Sequence, residues 1–312
     1  MTYVKQEITQ WLSSNITQTY NDWVDTTTYI YEDIASPSNN SVVRYNGYFW
    51  RSLIDSNTGN NPLETENEAW FRWQPSNTYA MLDQKSLTYT TNVGSDIVVE
   101  FERGNIDTLG LGYLEASQVT IEHYTYGTDG TDGTIITEAT QTFSFSVNED
   151  VYDLWDYIYA DYSDIIGRAI KIDIKPIGYK IRVTIAQSYN SIASCGFMVG
   201  GQGVFMGDTK DEVPLNFNSY SYSATDDFGN LSVIKRNVQD LVDFDTYIDK
   251  DLVAKAKRDI KTNHDEIMMF VVDESAESSF DNLITLGKIS NASIVARTAH
   301  KNVISWSIFE SI

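Results

Sequence analysis

The stretch from Gly167 to Ser188, GRAIKIDIKPIGYKIRVTIAQS, decides the fold class of this 312-residue chain. Apolar and polar residues alternate in both halves of the stretch, and the apolar positions are Ile170, Ile172, Ile174, Ile181, Val183 and Ile185. Successive side chains of a strand point to opposite faces of a sheet. The period of two therefore predicts two strands, each with one buried face.

The sequence before this stretch continues the pattern. Its strand candidates are SDIVVEFE (95–102), QVTIEHYTYG (118–127) and TIITEATQTFSFSV (134–147). Short strands separated by turn residues are typical of antiparallel sandwiches. We therefore predict a mainly β chain in which residues 74–192 form an antiparallel β-sandwich or jelly roll. Residues 1–18 are predicted to be an N-terminal arm that belongs to this sandwich.

Residues 193–312 mix helical and strand patterns and predict an α+β assembly domain. The best helix pattern is DFDTYIDKDLVAKAKRDIKTN (243–263), in which Asp245 is a suitable N-cap and the helical face runs through Tyr247, Asp251 and Ala254. The segment EIMMFVVDE (266–274) predicts a buried strand, and residues 283–312 predict two alternating strands. A hairpin is expected to turn at residues 227–230.

The charge of the chain excludes several classes of partner. It carries 22 Lys and Arg against 44 Asp and Glu, a formal net charge of −22. Such a field repels the phosphate backbone of nucleic acids and anionic membrane surfaces. No stretch approaches the roughly 20 apolar residues of a membrane span, and no signal peptide is visible. We expect a soluble protein made in the cytoplasm, with no nucleic acid partner and no membrane insertion.

Motifs for catalysis or cofactor binding are incomplete. The glycine-rich stretch 196–207, GFMVGGQGVFMG, is not followed by the Gly-Lys-Ser/Thr of a phosphate loop, so we expect strand connections or close backbone packing there. Asp129 and Asp132 lack the further ligands of a calcium loop. A glycosidase carboxylate pair would have to come from Asp153, Asp156, Asp161 and Asp164. One cysteine and three separated histidines leave no local metal motif. We predict no enzymatic activity, no metal and no cofactor.

Residues 19–73 differ in composition from the rest of the chain, being rich in aromatic and turn-forming residues, and they predict a small β domain. Asn46-Gly47 between the strand candidates Val42–Tyr45 and Tyr48–Leu53 is a strong signal for a type I′ hairpin. Around it runs an ordered series of aromatic and turn residues: Trp23, Tyr29, Val43, Tyr45, Gly47, Tyr48, Trp50, Gly59, Asn60, Pro62, Trp70 and Trp73. This order resembles the small chitin-binding type carbohydrate modules, apart from the inserted EDIASPSNN (32–40).

The resemblance implies a set of glycan-binding residues. The candidates are Tyr45, Tyr48, Trp50 and Trp70, because aromatic rings stack on the C–H faces of sugars. Tyr48 and Trp50 lie two residues apart on one strand, so alternation predicts that they share a face while Phe49 points away. The alternative interpretation is that all of these rings form the core of the module.

Further motifs, in order, resemble those of tailed-bacteriophage virion proteins in which such a module is followed by similar segments in the same order. The matching segments are RWQPSNTYAMLDQKSLTYTT (72–91), YDLWDYIYADY (152–162), VGGQGVFMGD (199–208) and SYSATDDFGNLSVIKR (221–236). This resemblance covers roughly residues 19–312 and implies a tail-associated structural role rather than a reaction.

We therefore predict a non-enzymatic structural component of a tailed-phage virion, from the tail, tail tip or baseplate, assembled in the host cytoplasm. Its expected partners are further copies of itself in a ring or multi-copy assembly, other virion tail proteins, and host surface glycan contacted through residues 19–73. The alternative is a secreted or surface polysaccharide-binding protein, or a glycan-active enzyme, with an accessory carbohydrate-binding module.

Overall fold

The computed structural model describes the chain except for residues 9–10, 33–37, 128–132, 145–167, 189–190, 211–212, 226–230, 273–282 and 296–300. Strands dominate the described residues and pair antiparallel, which confirms the mainly β fold class. The candidate calcium loop at Asp129 and Asp132, the acidic stretch with Asp153, Asp156, Asp161 and Asp164, and the turn at 227–230 lie outside the described residues.

The N-terminal arm contributes two strands, β1 (Thr2–Lys5) and β2 (Ser13–Ser14). The module that follows contains β3 (Thr28–Tyr29), β4 (Val42–Tyr45), β5 (Tyr48–Ser52), β6 (Asn57–Thr58) and β7 (Trp70–Pro75). Strands β4, β5 and β7 form one sheet, while β3 pairs with β6. Asn46 and Gly47 have φ angles of 48° and 81°, which confirms the type I′ turn between β4 and β5.

A short 3₁₀ helix, Ala80–Leu82, leads from the module into the sandwich. Its strands are β8 (Thr90–Val93), β9 (Ile97–Glu102), β10 (Thr108–Leu114), β11 (Gln118–Tyr124), β12 (Gln141–Ser144), β13 (Arg168–Asp173), β14 (Lys180–Ala186), β15 (Ile192–Cys195) and β16 (Phe197–Gly201), with a 3₁₀ turn at Thr137–Ala139. One sheet has the order β12-β11-β14-β9-β2, and a second has the order β13-β10-β16. Strand β15 pairs with β8.

The sandwich core confirms the alternation in Gly167–Ser188. Ile181, Val183 and Ile185 are fully buried, and they pack in one cluster with residues of both sheets such as Val119 and Leu109. The sandwich extends beyond the predicted limit of residue 192, because β15 and β16 pair with its earlier strands.

The glycine-rich stretch forms strands packed closely against the arm, as predicted. A Cβ on Gly201 would lie 2.0 Å from the Lys5 carbonyl oxygen, and one on Gly200 would lie 2.5 Å from Ile8 Cδ1. At Gly201, only glycine permits this approach of two backbones.

The C-terminal region is built on an eight-stranded antiparallel sheet. Its elements are β17 (Gly203–Phe205), β18 (Asp208–Thr209), β19 (Leu215–Ser219), β20 (Tyr222–Thr225), β21 (Leu231–Ile234), β22 (Val238–Asp249), a 3₁₀ turn at Lys250–Leu252, the helix Val253–Asn263, β23 (Met268–Val271), β24 (Ile284–Val295) and β25 (Lys301–Glu310). The main sheet has the order β17-β1-β23-β24-β25-β22-β18, and β19 also pairs with β22. The buried strand and the two final strands were correctly predicted.

The predicted start of the helix is wrong. Asp245 lies within β22 and pairs with Ser305 of β25, so it is not an N-cap. Val242, Phe244, Thr246 and Ile248 alternate along this strand and are buried. The period of two therefore prevailed over the helical spacing up to Asp249, and the helix begins at Val253.

The predicted assignment of the arm is only partly correct. Strand β2 joins the sandwich through β9, but β1 lies between β17 and β23 in the C-terminal sheet. Val4 is fully buried there, so the first strand of the chain is part of the C-terminal core. The arm thus connects the two larger regions. No helix in the described part of the chain is long and apolar enough to cross a membrane.

Candidate functional site

A cleft of about 600 Å³ opens where the module meets the N-terminal arm and the segment that follows β7. It is lined by aromatic and small polar side chains in comparable number. The lining residues are Trp11, Leu12, Ser13, Ser14, Asp22, Trp23, Arg44, Tyr45, Asn46, Gly47, Tyr48, Ser76, Thr78, Tyr79 and Leu82. We call the side formed by residues 22–48 the module wall, and the side formed by residues 11–14 and 76–82 the sandwich wall.

Two aromatic rings in edge-to-face contact dominate the module wall. The rings of Trp23 and Tyr45 lie 5.3 Å apart at an interplanar angle of 73°. The Trp23 amide donates to the Arg44 carbonyl oxygen at 2.9 Å, which ties the segment before β3 to the edge of β4. Trp23 Nε1 is buried and has no hydrogen-bond acceptor in the described part of the chain.

The hairpin turn joins the two walls. The Ser76 amide donates to the Gly47 carbonyl oxygen at 2.8 Å, and the rings of Tyr48 and Tyr79 lie 5.3 Å apart. A Cβ on Gly47 would come within 2.8 Å of Tyr79 Cγ. The positive φ of Gly47 and this close approach both favour glycine. The turn therefore determines how closely the module wall approaches Tyr79 of the sandwich wall.

The sandwich wall is anchored in the neighbouring domain. Trp11 packs on Phe101 with ring centroids 6.0 Å apart, and its Nε1 donates to the Thr78 carbonyl oxygen at 2.7 Å. Next along the arm, Ser13 Oγ donates to Glu100 Oε2 at 2.7 Å. Glu100 also accepts from Lys180 and Arg182 on β14. The arm is therefore held over the sheet by both an aromatic contact and the charges around the buried Glu100.

One ion pair lies at the rim of the cleft. Arg44 contacts Asp22 through Nε at 2.5 Å and Nη2 at 2.9 Å, in the forked geometry that suits a carboxylate. The hydrogen bond from Arg44 is the main reason that the pKa of Asp22 lies below its ordinary value. Arg44 also reaches Thr78 Oγ1 at 3.5 Å, across the cleft. Burial raises the pKa of the tyrosine hydroxyls of Tyr48 and Tyr79, so both are neutral donors.

The four predicted glycan-binding residues have different environments. Tyr45 and Tyr48 line the cleft and keep part of their surface accessible. Trp50 and Trp70 are 0% exposed, and their indole N–H groups donate to the carbonyl oxygens of Tyr45 and Asn60. These two residues are therefore corrected from stacking residues to core residues. The module is too small to build a core from aliphatic residues alone, so its largest rings are buried.

Tyr48 and Trp50 do share a face of β5, as the alternation predicts. The Arg72 guanidinium lies 5.2 Å from the ring centroid of Tyr48 and 6.0 Å from that of Trp50. Phe49 points to the other side, where its ring meets Tyr20 at 5.1 Å. Arg72 thus covers the face on which a stacked sugar was expected.

Sequence reasoning missed several residues of the cleft. Trp23 belongs to the aromatic series but was not singled out, and its lack of a hydrogen-bond partner is a property of the folded state. Trp11, Tyr79 and Thr78 come from outside residues 19–73, and no local spacing connects them to Tyr45. The cleft is a tertiary arrangement of segments that the sequence motifs treat separately.

Other reactive side chains lie away from the cleft. Cys195 is fully buried, and burial raises the pKa of its thiol to about 12. His123 is buried in the sandwich with Nδ1 at 3.0 Å from the Ile177 carbonyl oxygen, and His264 follows the helix. His300 lies outside the described residues. Within the described ranges, no three His, Cys, Asp or Glu side chains come together as metal ligands.

Comparisons of the chain with protein-family models, with curated proteins and with solved structures found no match.

Proposed function

We propose that this chain is a non-enzymatic structural component of a tailed-phage virion and that it binds host surface glycan in the cleft between the module and the sandwich. The observation that carries the binding proposal is the cleft itself, in which accessible rings alternate with hydrogen-bonding side chains. The order of motifs along residues 19–312 supports the virion assignment.

The chemistry of the cleft suits a sugar. Pyranose rings present apolar C–H faces, which pack on aromatic rings such as Trp23, Tyr45 and Tyr79. Their hydroxyls need donors and acceptors at the edges, and Asn46 and Thr78 lie there. Ligand sites of this size commonly combine apolar walls with a few placed polar groups.

The arrangement of carboxylates favours binding over hydrolysis. Glycosidases use two carboxyl groups that face each other across the scissile bond. Asp22 is the one carboxylate among the described residues that line the cleft, and it is already paired with Arg44. This supports a binding site for carbohydrate rather than an active site.

The test of glycan binding starts with the intact chain on an array of bacterial surface polysaccharides, followed by calorimetric titration of the best ligand. Trp23→Ala should reduce affinity at least about tenfold, because it removes an aromatic ring from the wall of the cleft. Phe71→Ala is the matched control, since Phe71 is an exposed ring of the same module outside the cleft. Equal losses in both variants, or no ligand on the array, would contradict a glycan site in the cleft.

The virion assignment has a separate test. Mass spectrometry of purified particles of the phage that encodes the chain should detect it among the tail proteins, with a copy number that matches the symmetry of its position. Absence of the chain from purified particles would contradict the assignment, whatever the outcome of the glycan titration.

The alternative function is a glycan-active enzyme with an accessory module, and it predicts a product. Prolonged incubation with the polysaccharide that binds best would then release new reducing ends. We expect none above a heat-denatured control.

A further inference from the structure

We infer that a β-ribbon formed by residues 215–225 and 231–238 is a self-association surface that pairs with the same ribbon of a second copy of this chain. The ribbon is remote in sequence from the cleft, and the inference does not depend on glycan binding.

The ribbon is a two-stranded extension of the C-terminal sheet. Strand β19 pairs with β22 from Leu215–Val242 to Ser219–Val238. The ladder continues through a bond from the Tyr220 amide to the Asn237 carbonyl oxygen at 3.2 Å and then into the pairing of β20 with β21. Among the described strands, neither β20 nor β21 has a further neighbour. Each therefore presents an open edge, and a two-stranded ribbon is only marginally stable alone.

Large apolar side chains on this ribbon face solvent. Six of them are between 48% and 70% exposed: Phe217, Tyr220, Tyr222, Val233, Ile234 and Val238. None of the six belongs to the hydrophobic clusters formed by the described residues. Tyr222 lies directly opposite Ile234, and Phe217 lies diagonal to Val238, so these four side chains form cross-strand pairs. Val233 pairs with Ser223 and points to the other face of the ribbon, because successive strand residues alternate.

The exposed apolar area of the ribbon can be compared with the area that a specific interface buries. Six large side chains, each about half exposed, present on the order of 500 Å² of apolar surface, since a complete aromatic side chain offers roughly 150–250 Å². This area is divided between the two faces of the ribbon, and apolar patches of a few hundred Å² are often functional. One ribbon alone falls short of a specific interface. Pairing along an open edge brings side chains of both faces together, and two copies then offer at most about 1,000 Å², near the lower limit of specific interfaces. A two-fold contact between identical ribbons supplies this area from a single surface.

The charge of the ribbon favours the same partner. Residues 215–238 carry two acidic and two basic residues in sequence, whereas the whole chain has a net charge of −22. Copies of such an acidic chain repel each other except where acidic residues are sparse. The two cations, Lys235 and Arg236, are exposed at the base of the ribbon, where they can face acidic residues of the second copy. A neutral, apolar, open-edged ribbon is therefore the surface through which two copies can approach.

The experiment is sedimentation equilibrium of the full chain over a range of concentrations. Wild type should associate reversibly, and Ile234→Asp should raise the dissociation constant at least about tenfold, because it places an acid in the apolar pair with Tyr222. Val93→Asp is the control, since Val93 is an exposed apolar residue on β8 of the sandwich, away from the ribbon. A monomeric wild type would overturn the proposal, and so would an Ile234→Asp variant that associates as tightly as wild type.

A second measurement tests the ribbon pairing if Ile234→Asp folds poorly. Ser223→Cys places a thiol on β20, and the native Cys195 is fully buried and should remain unreactive. A short bismaleimide should link two Ser223→Cys chains through the ribbons, whereas Val93→Cys should give no dimer above background. Failure of Ser223→Cys to cross-link, or equal cross-linking of both variants, would overturn the ribbon pairing.

Discussion

The two walls of the cleft contain similar aromatic residues, but different interactions hold them in place. The module wall rests on a core of large rings, with Trp50 and Trp70 fully buried beneath the accessible Trp23 and Tyr45. The sandwich wall rests on an aliphatic core and on the charges around Glu100. An aromatic residue in a small module is therefore a ligand contact only where the neighbouring segment leaves its face open.

The largest effect is expected from the core of the module wall. Trp70→Ala should destabilise the module by about 3–5 kcal/mol, because it removes a fully buried ring and leaves a cavity. Calorimetric unfolding of the full chain should show an early transition of the module in this variant. The control is Trp73→Ala, which truncates a partly exposed ring of the same strand and should cost far less. Equal effects of the two substitutions would mean that the module has no aromatic core of this kind.

The next effect concerns the charges behind the sandwich wall. Glu100 is buried with Lys180 at 3.0 Å and Arg182 at 2.6 Å. Glu100→Gln removes the anion that these cations share, and breaking a buried pair typically costs about 3–5 kcal/mol. Because Arg182 is partly exposed, we expect a loss of stability near the lower end of this range. Chemical denaturation of the full chain measures it.

The same group predicts a pH dependence. Burial alone would raise the pKa of Glu100, but hydrogen bonds from Ser13, Lys180 and Arg182 outweigh it and lower the pKa. A lowered pKa contributes stability that is present above the unfolded value and is lost as pH falls through the folded value. Wild type should therefore lose stability below about pH 4.5, and Glu100→Gln should show a shallower loss over the same range. Parallel pH profiles would contradict the role of Glu100.

A smaller effect is expected at the turn between the walls. Gly47→Ala should cost about 1–2 kcal/mol, because alanine disfavours the positive φ and its Cβ would press on Tyr79. We expect the variant to remain folded but to bind glycan more weakly, as judged by titration alongside thermal unfolding. Gly94→Ala is a suitable control, since Gly94 also has a positive φ but no atom lies within 4 Å of its Cβ position.

The smallest effect is expected at the rim. Asp22→Asn should change stability by at most about 1 kcal/mol, because Asp22 is largely exposed and such ion pairs contribute little. Its effect should instead appear in selectivity, since Arg44 would become available to an acidic sugar. Titration with neutral and acidic ligands, wild type beside Asp22→Asn, measures that shift. An identical preference in both proteins would show that the pair does not influence recognition.

Local patterns predicted much of the fold. The alternation around Ile181 predicted a sandwich strand, and Asn46-Gly47 predicted the hairpin. Both predictions were possible because each pattern depends on only a few neighbouring residues. The helix start was misplaced since residues 242–249 fit two periods, and the partner strand β25 selected the extended one. Strand β1 has only four residues, which are too few to show a periodic signal. Its partner β23 lies at the far end of the chain.

The cleft was predictable only in part. Tyr45 and Tyr48 follow from the hairpin and its aromatic series. Whether a ring is buried depends on what covers it, and the sequence does not show that Arg72 lies over Trp50 or that Trp11 lies beside Thr78. Contacts between segments far apart in the chain decide which aromatic residues remain accessible.

The most direct test of the shared cleft is titration of the sugar ligand against Trp11→Ala in the intact chain. Trp11 belongs to the arm, outside the module that carries the aromatic series, so its loss leaves the module wall unchanged. We predict at least a tenfold loss of affinity, about 1.4 kcal/mol, with the thermal unfolding of the module unaltered. Wild-type affinity in this variant would contradict the account, because the glycan would then bind the module alone.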